Sequence, residues 1–165
     1  MENKYTFFYD GPFSQWAHSD FTIDGVQYKN CEQYMMAQKA LLFNDKEIFQ
    51  KVMETNHPQT IKDLGRQISN FNKDVWEAEC KDVVFRGNYA KFSQNDGFYA
   101  DLMDTVGTEL VEASPFDTIW GIGLAESDPR ALDKTTWLGT NWLGEVLTAV
   151  RDKLVEESLS EGLIS

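Results

Sequence analysis

Histidine is nearly absent from this chain, which has His18, His57 and no others, and that excludes a histidine-rich metal site. Cysteine is as scarce. Cys31 and Cys80 form no metal-spaced cluster and read as reduced thiols, which suits a cytoplasmic protein. Positive charge is short as well, with 15 Lys and Arg against 27 Asp and Glu and a formal charge of −12. Such a surface repels phosphate backbones and argues against a broad nucleic-acid footprint, while one local basic pocket for a single nucleotide stays compatible with it. No apolar run reaches membrane length, and the opening stretch MENKYTFFYDG lacks the apolar core of a signal peptide, so no membrane association is expected. Linkers, low-complexity tracts and long repeats are missing. So are a Walker loop, a Rossmann glycine fingerprint, a zinc-protease helix and a Gly-x-Ser-x-Gly elbow.

What is abundant is aromatic: 5 Trp, 6 Tyr and 11 Phe in 165 residues, a length that fits one domain with a core of its own. Rings fill cores, and those beside a cleft stack on flat ligands. Phe7 to Tyr9 reads as extended, and Asp24-Gly25 between Phe21-Thr22-Ile23 and Val26-Gln27-Tyr28 is a hairpin signal. Helices are predicted from Cys31 to Phe43 with Asn30 as cap, from Lys46 to Met53, and from Pro58 toward Leu64. A longer one runs from the cap Asn72 to about Phe92, and a short one covers Gly97 to Thr105. Glu109 to Ala113 and Thr118 to Ile122 read as strands, and Asn141 as the cap of a last helix with the stripe Leu143, Leu147, Val150 and Leu154. The sum is an α+β fold, mainly helical, with one domain over residues 1–156 and a polar tail over 157–165 that is expected to fray.

Polar residues on an apolar stripe are the informative ones. Steps of 100° put Glu32, Met35, Met36, Lys39 and Phe43 on one side of the first long helix, with the acid and the base two turns apart. Burial raises a carboxyl pKa and lowers a lysine pKa, which makes such groups useful acids, bases or nucleophiles. The plainer readings are a first-turn carboxylate on the helix dipole and a lysine that snorkels to water. Trp76 shares a face with Cys80, Val83, Gly87 and Ala90, so it is core or the wall of a pocket. Asp117 stands at a turn, where it either bonds nearby backbone or faces a ligand. Gly121 and Gly123 permit close approach of a ligand or of another backbone. The helix start at Asn141-Trp142-Leu143-Gly144 offers N–H groups to a phosphate, and Arg66 offers the matching charge or a surface ion pair.

Six segments together resemble the YbiA/NADAR family: GPFSQW (11–16), EQYMMAQKA (32–40), LGRQ (64–67), AKFSQN (90–95), LVEASPFDTIWGIG (110–123) and NWLGEVL (141–147). The similarity runs over roughly residues 5 to 154. It implies a YbiA-like fold and an N-glycosidase, a hydrolase of the ribose–nitrogen bond in phosphorylated riboflavin-pathway intermediates or in ADP-ribosylated guanine. The positions matching the family's active site are Glu32, Trp76, Asp117, Trp120 and Asn141, with Lys39 added as a candidate for a lysine-linked intermediate. Arg66, Gly121, Phe13 and Trp16 complete the expected substrate-binding set. Two positions depart from the family pattern: Thr140, where many members carry a basic residue, and Gln15, where many have Asn.

The resemblance and the pattern together give a mechanism to expect. The ribose C1 sits between the carboxylates of Glu32 and Asp117, with Trp76 and Trp120 shaping the pocket and Arg66 and the helix start at Asn141 on the 5′-phosphate. Alternatively Lys39 attacks the opened sugar as a neutral amine. Neither route calls for a metal or a redox cofactor. The partner is then a small ribosyl or ADP-ribosyl substrate, or an ADP-ribosylated guanine in nucleic acid. A different class, a module that reads ADP-ribose or a nucleotide without cleaving it, uses the same residues. The sequence carries no signal for an oligomeric state.

Overall fold

Asp24 and Gly25 both take positive φ, +52° and +79°, the type I′ geometry that joins β2 (Phe21–Ile23) to β3 (Val26–Tyr28) in an antiparallel hairpin. The computed structural model that shows this describes residues 4–164. The first three residues of the N-terminal stretch therefore lie outside the described residues. Chain contacts divide the protein into two compact units: residues 15–95, and the segments on either side of them.

In the 15–95 unit the organising element is α1 (Cys31–Leu42). Asn30 starts it, its side chain accepting from the Gln33 amide at 2.8 Å. Packed on it are β3, α2 (Lys46–Met53), α3 (Pro58–Gly65) and α4 (Lys73–Gln94), each helix within a residue or two of its predicted span. Every side chain from Cys31 to Ala37 is buried, so the stripes drawn from the sequence do not divide solvent from core over the first two turns. Gln33 tolerates this because its amide is fully employed. It accepts from the Lys29 amide at 2.8 Å and donates to the carbonyls of Val52 and Thr55 at 3.2 and 3.0 Å.

The other unit is built on a parallel pair, β1 (Tyr5–Phe8) beside β4 (Glu109–Glu112), with Tyr5 opposite Glu109. Glu109 and Ala113 donate toward the β1 side, to the carbonyls of Lys4 and Phe8. Leu110 and Glu112 turn their backbone groups to the outer edge, where an unpaired strand is costly. Side chains close that edge. Leu110 N donates to Thr148 Oγ1 at 3.0 Å, Asn141 Nδ2 donates to Leu110 O at 3.1 Å, and Glu112 N donates to Asn141 Oδ1 at 2.9 Å. α5 (Asp96–Met103) and α6 (Trp142–Ile164) complete the unit, α6 burying Leu143, Leu147, Val150 and Leu154 as its stripe predicts.

Three expectations need correction. Thr118 to Ile122 is not a strand, because Asp117 Oδ1 accepts from the amides of Ile119 and Trp120 at 2.9 and 2.8 Å and folds the segment into a turn. Asn141 does not cap α6 with its side chain, which is directed to β4 instead, and its φ is +54°. The segment after Glu156 is not a frayed tail: α6 continues to Ile164, the polar residues riding on a helix already nucleated by its buried stripe, and only Ser165 lies outside the described residues. No described helix is long and apolar enough to cross a membrane.

Gly144 shows how tightly the β4 edge is closed. A Cβ there would run into Leu110 O and the Asn141 amide. Gly144→Ala is therefore expected to destabilise the fold by about 1–3 kcal/mol, seen as a lower urea midpoint at unchanged m.

Candidate active site

Within the 15–95 unit, α1 presents Glu32 in its first turn and Lys39 in its last, and Glu32 is only 7% exposed. The Lys39 Nζ donates to Gly65 O at 3.1 Å and lies 4.7 Å from the Phe71 ring centroid and 5.6 Å from that of Trp76. Burial holds its pKa below the ordinary lysine value, Glu32 pulls it back up in part, and Arg66 pushes it down further. Lys39 does not snorkel away. It points among two rings and a backbone carbonyl, in a setting that favours the neutral, nucleophilic amine. Gly65, whose carbonyl accepts from Lys39, is itself packed on Met36, and a Cβ there would strike the Met36 sulfur. Arg66 follows on an exposed turn, its Nη1 4.0 Å from Asp63, and the Lys62 Nζ stands 6.0 Å from the half-open Trp16 ring.

Gln15, noted in the sequence only as a departure from the family pattern, and Asn88, which the sequence reading passed over, fix Glu32 in place. Gln15 O accepts from the Glu32 amide at 3.1 Å. The Gln15 side chain accepts from Asn88 Nδ2 at 2.8 Å and donates to the Met35 sulfur at 3.8 Å. Asn88 is fully buried, donates also to Val84 O at 2.9 Å, and accepts from the Cys31 thiol at 3.5 Å. Cys31 is no rival nucleophile, for burial pushes its thiol up to about 11 against a smaller downward pull from Lys91. Lys91 is itself wholly buried, and burial holds its pKa low. A signal for these residues did exist. Val84, Asn88 and Lys91 follow helical spacing on α4, so two polar groups interrupt an apolar stripe there as Glu32 does on α1.

The remaining expected site residues lie in the other unit. Asp117, half-buried, anchors the turn already described, and Trp120 packs edge-on against Trp142 at 5.8 Å. Gly121 does permit a close approach, and what approaches is backbone: a Cβ there would stand 3.0 Å from the carbonyls of both Asp117 and Glu112. Phe13 is buried edge-on against Phe8 at 5.8 Å and is not presented for stacking. The first two amides of α6 are already engaged within the protein. The Trp142 and Leu143 amides donate to the carbonyls of Ile119 and Trp120, both at 3.1 Å, and both polar groups of the Asn141 side chain are engaged by β4. Asn141 holds the scaffold. Asn141→Ala is expected to cost on the order of 1–3 kcal/mol for each β4 group left without its partner, read in a urea titration.

The NADAR domain model matches residues 6–155. The chain belongs to the NADAR family. Among its relatives is N-glycosidase R617 of Acanthamoeba polyphaga mimivirus, 41% identical over a match covering 92% of this chain and 96% of the relative. The riboflavin biosynthesis protein PYRR of Zea mays chloroplasts is 28% identical, the match covering 88% of this chain and 23% of that longer protein. The NMR structure of Escherichia coli YbiA matches with a TM-score of 0.79 at 28% identity, covering 96% of this chain and 89% of that one. The mainly helical α+β architecture read from the sequence is thus the architecture of a solved relative. In this NADAR chain Gln15, one of the two departures from the family pattern, is the residue that ties Asn88 to the backbone of Glu32.

Proposed function

We propose that this N-glycosidase of the NADAR family hydrolyses the bond between a ribose carbon and the nitrogen of a base in a phosphorylated substrate, either an intermediate of riboflavin biosynthesis or an ADP-ribosylated base. The observation that carries the reading is the pair on α1, a buried glutamate and a half-buried lysine beside Trp76 and Phe71. Cleaving a ribosyl C–N bond builds positive charge on the sugar, and a carboxylate in a water-poor setting stabilises it strongly. In the direct route water adds to C1 and the nitrogen departs with a proton. The setting of Lys39 favours a second route. Its neutral amine adds to C1 of the opened sugar, the base leaves with a proton, and water hydrolyses the resulting imine to restore the amine.

The phosphate finds its charge in the 15–95 unit. That unit has 11 acidic and 10 basic residues, whereas the remainder of the chain has 16 and 5. Of those five, Arg130 pairs with Asp128 at 2.8 Å, Lys134 with Glu109 at 3.0 Å, and Arg151 is buried on the carbonyls of Thr105 and Thr108. Arg66 is the group best suited to a substrate phosphate. Arg66→Ala is expected to raise KM for a 5′-phosphorylated substrate about 10- to 100-fold, the loss of one hydrogen-bonded charge, with little effect on the unphosphorylated riboside.

A panel tests the reading: a phosphoribosylaminopyrimidine, free ADP-ribose, and ADP-ribosylated guanine in a DNA oligonucleotide, each assayed for release of free base or sugar. Turnover of the first or third member is expected. Saturable binding with intact substrate recovered throughout would make the chain a reader of ribosylated ligands and not an enzyme acting on them.

A further inference from the structure

The unit that contains β1 and β4 holds an open cleft of about 610 Å³, and no residue lining it has a part in the chemistry above. Its walls run from Phe8, buried at the end of β1, to Tyr9 and Phe116, which are 53% and 86% exposed. Pro115 adds a flat apolar face, and Glu126 and Ser127 bring polar groups to an otherwise apolar lining. A phenylalanine so exposed usually sits on a loose loop. Here the backbone around it is tied. The Ala113 amide donates to Phe8 O at 2.7 Å, the Phe116 amide donates to Ser114 Oγ at 3.3 Å, and Asp117 accepts from the Ile119 and Trp120 amides. Glu126 and Ser127 are the central residues of a turn closed by the Asp128 amide on Ala125 O at 3.0 Å. Rings held in water by a fixed backbone, with polar groups at their rim, mark a binding surface.

Charge decides what such a surface takes. No basic residue lines the cleft, and the unit has 16 acidic residues to 5 basic. Asp128 is engaged by Arg130 at 2.8 Å, whereas the Glu126 side chain makes no ion pair or hydrogen bond among the described residues. A cation is drawn to an aromatic face by the ring quadrupole. A guanidinium lies flat on such a face and also meets a carboxylate through two parallel N–H bonds, which an ammonium does not. Its alkyl stem packs along apolar surface of the kind Pro115 supplies. We propose that the cleft docks an arginine side chain of a partner polypeptide, with the guanidinium against Phe116 and Tyr9 and paired with Glu126. The same charge balance points to a polypeptide source. Free arginine carries an α-carboxylate, which this acidic unit repels, whereas within a chain that group is a neutral amide. An open cleft also leaves room for the residues on either side of the arginine. Docking here requires nothing of the hydrolase chemistry.

The test is an NMR titration of the full chain at low ionic strength. The probe is a capped pentapeptide with arginine at its centre and glycine or alanine elsewhere. Its controls carry citrulline or lysine in place of the arginine, and free L-arginine is titrated beside them. Citrulline keeps the shape of arginine without its charge, and that peptide is expected to bind about fivefold or more weakly. The lysine peptide, which lacks the flat fork, and free arginine are each expected to bind about threefold or more weakly. Phe116→Ala and Glu126→Gln are each expected to weaken the arginine peptide about threefold or more without moving Tm, since both side chains are exposed. Added salt is expected to weaken it further. No saturable binding of the arginine peptide overturns the assignment. So does equal binding by the citrulline peptide, the lysine peptide or free arginine, or unchanged binding in either variant.

Discussion

Glu32→Gln is expected to lower kcat/KM by about 10²- to 10³-fold or more, the cost of removing one preorganised charge from a transition state, with Tm essentially unchanged. The glutamine side chain has the same shape, and the Glu32 amide keeps its bond to Gln15 O, so the start of α1 is undisturbed. Glu32 is 7% exposed, and the amide of glutamine fills the space of the carboxyl group it replaces, so no cavity is opened. The pairing of lost activity with a retained fold separates Glu32 from Asn141, whose removal is expected to act through stability. A folded Glu32→Gln variant with parental kinetics would take Glu32 out of the chemistry.

Borohydride added during turnover is expected to trap the sugar on Lys39, and Lys39→Met is expected to abolish the adduct and lower turnover by about 10³-fold, as loss of a nucleophile does. The reasoning starts from the lowered pKa of Lys39, whose largest cause is burial. The neutral amine forms as pH rises through that lowered value, so adduct formation rises with pH and levels off below the ordinary lysine range. Glu32 pulls in the other direction, so in Glu32→Gln the amine's titration is expected at still lower pH. The same shift has a consequence for stability. Between the lowered value and the ordinary one, the unfolded chain holds the proton more often than the folded chain, so this group's contribution to stability grows as pH rises across that window. In Lys39→Met that slope is expected to vanish from pH-dependent urea melts. Persistent absence of an adduct, with turnover intact in Lys39→Met, leaves direct attack by water beside Glu32.

Much of the 15–95 unit was legible because its signals are local. Caps at Asn30 and Asn72 and the Asp24-Gly25 turn depend on neighbours within a few residues, and they fall as predicted. The β1–β4 pair was not legible as a pair, because its strands come from opposite ends of the sequence and no local pattern sets their register. Asn141 shows the same limit in one residue. Asn before a helix reads as a cap, but whether its amide bonds its own helix or a strand is decided by tertiary packing. Thr118 to Ile122 misled by its β-branched residues, while Asp117 directed the backbone into a turn. In the candidate site, Glu32 and Lys39 stood out as polar groups on an apolar stripe. Asn88 broke its stripe equally, and its meaning became visible only with Gln15 against it.

The central claim, that the chain opens a ribose–nitrogen bond, is tested most directly by the stoichiometry of its products. Purified chain incubated in turn with a 5′-phosphorylated N-ribosyl aminopyrimidine and with an ADP-ribosylated guanine is predicted to release free base and the matching ribosyl product in equal amounts from at least one of them. Both substrates recovered intact from a folded, ligand-binding chain would contradict it.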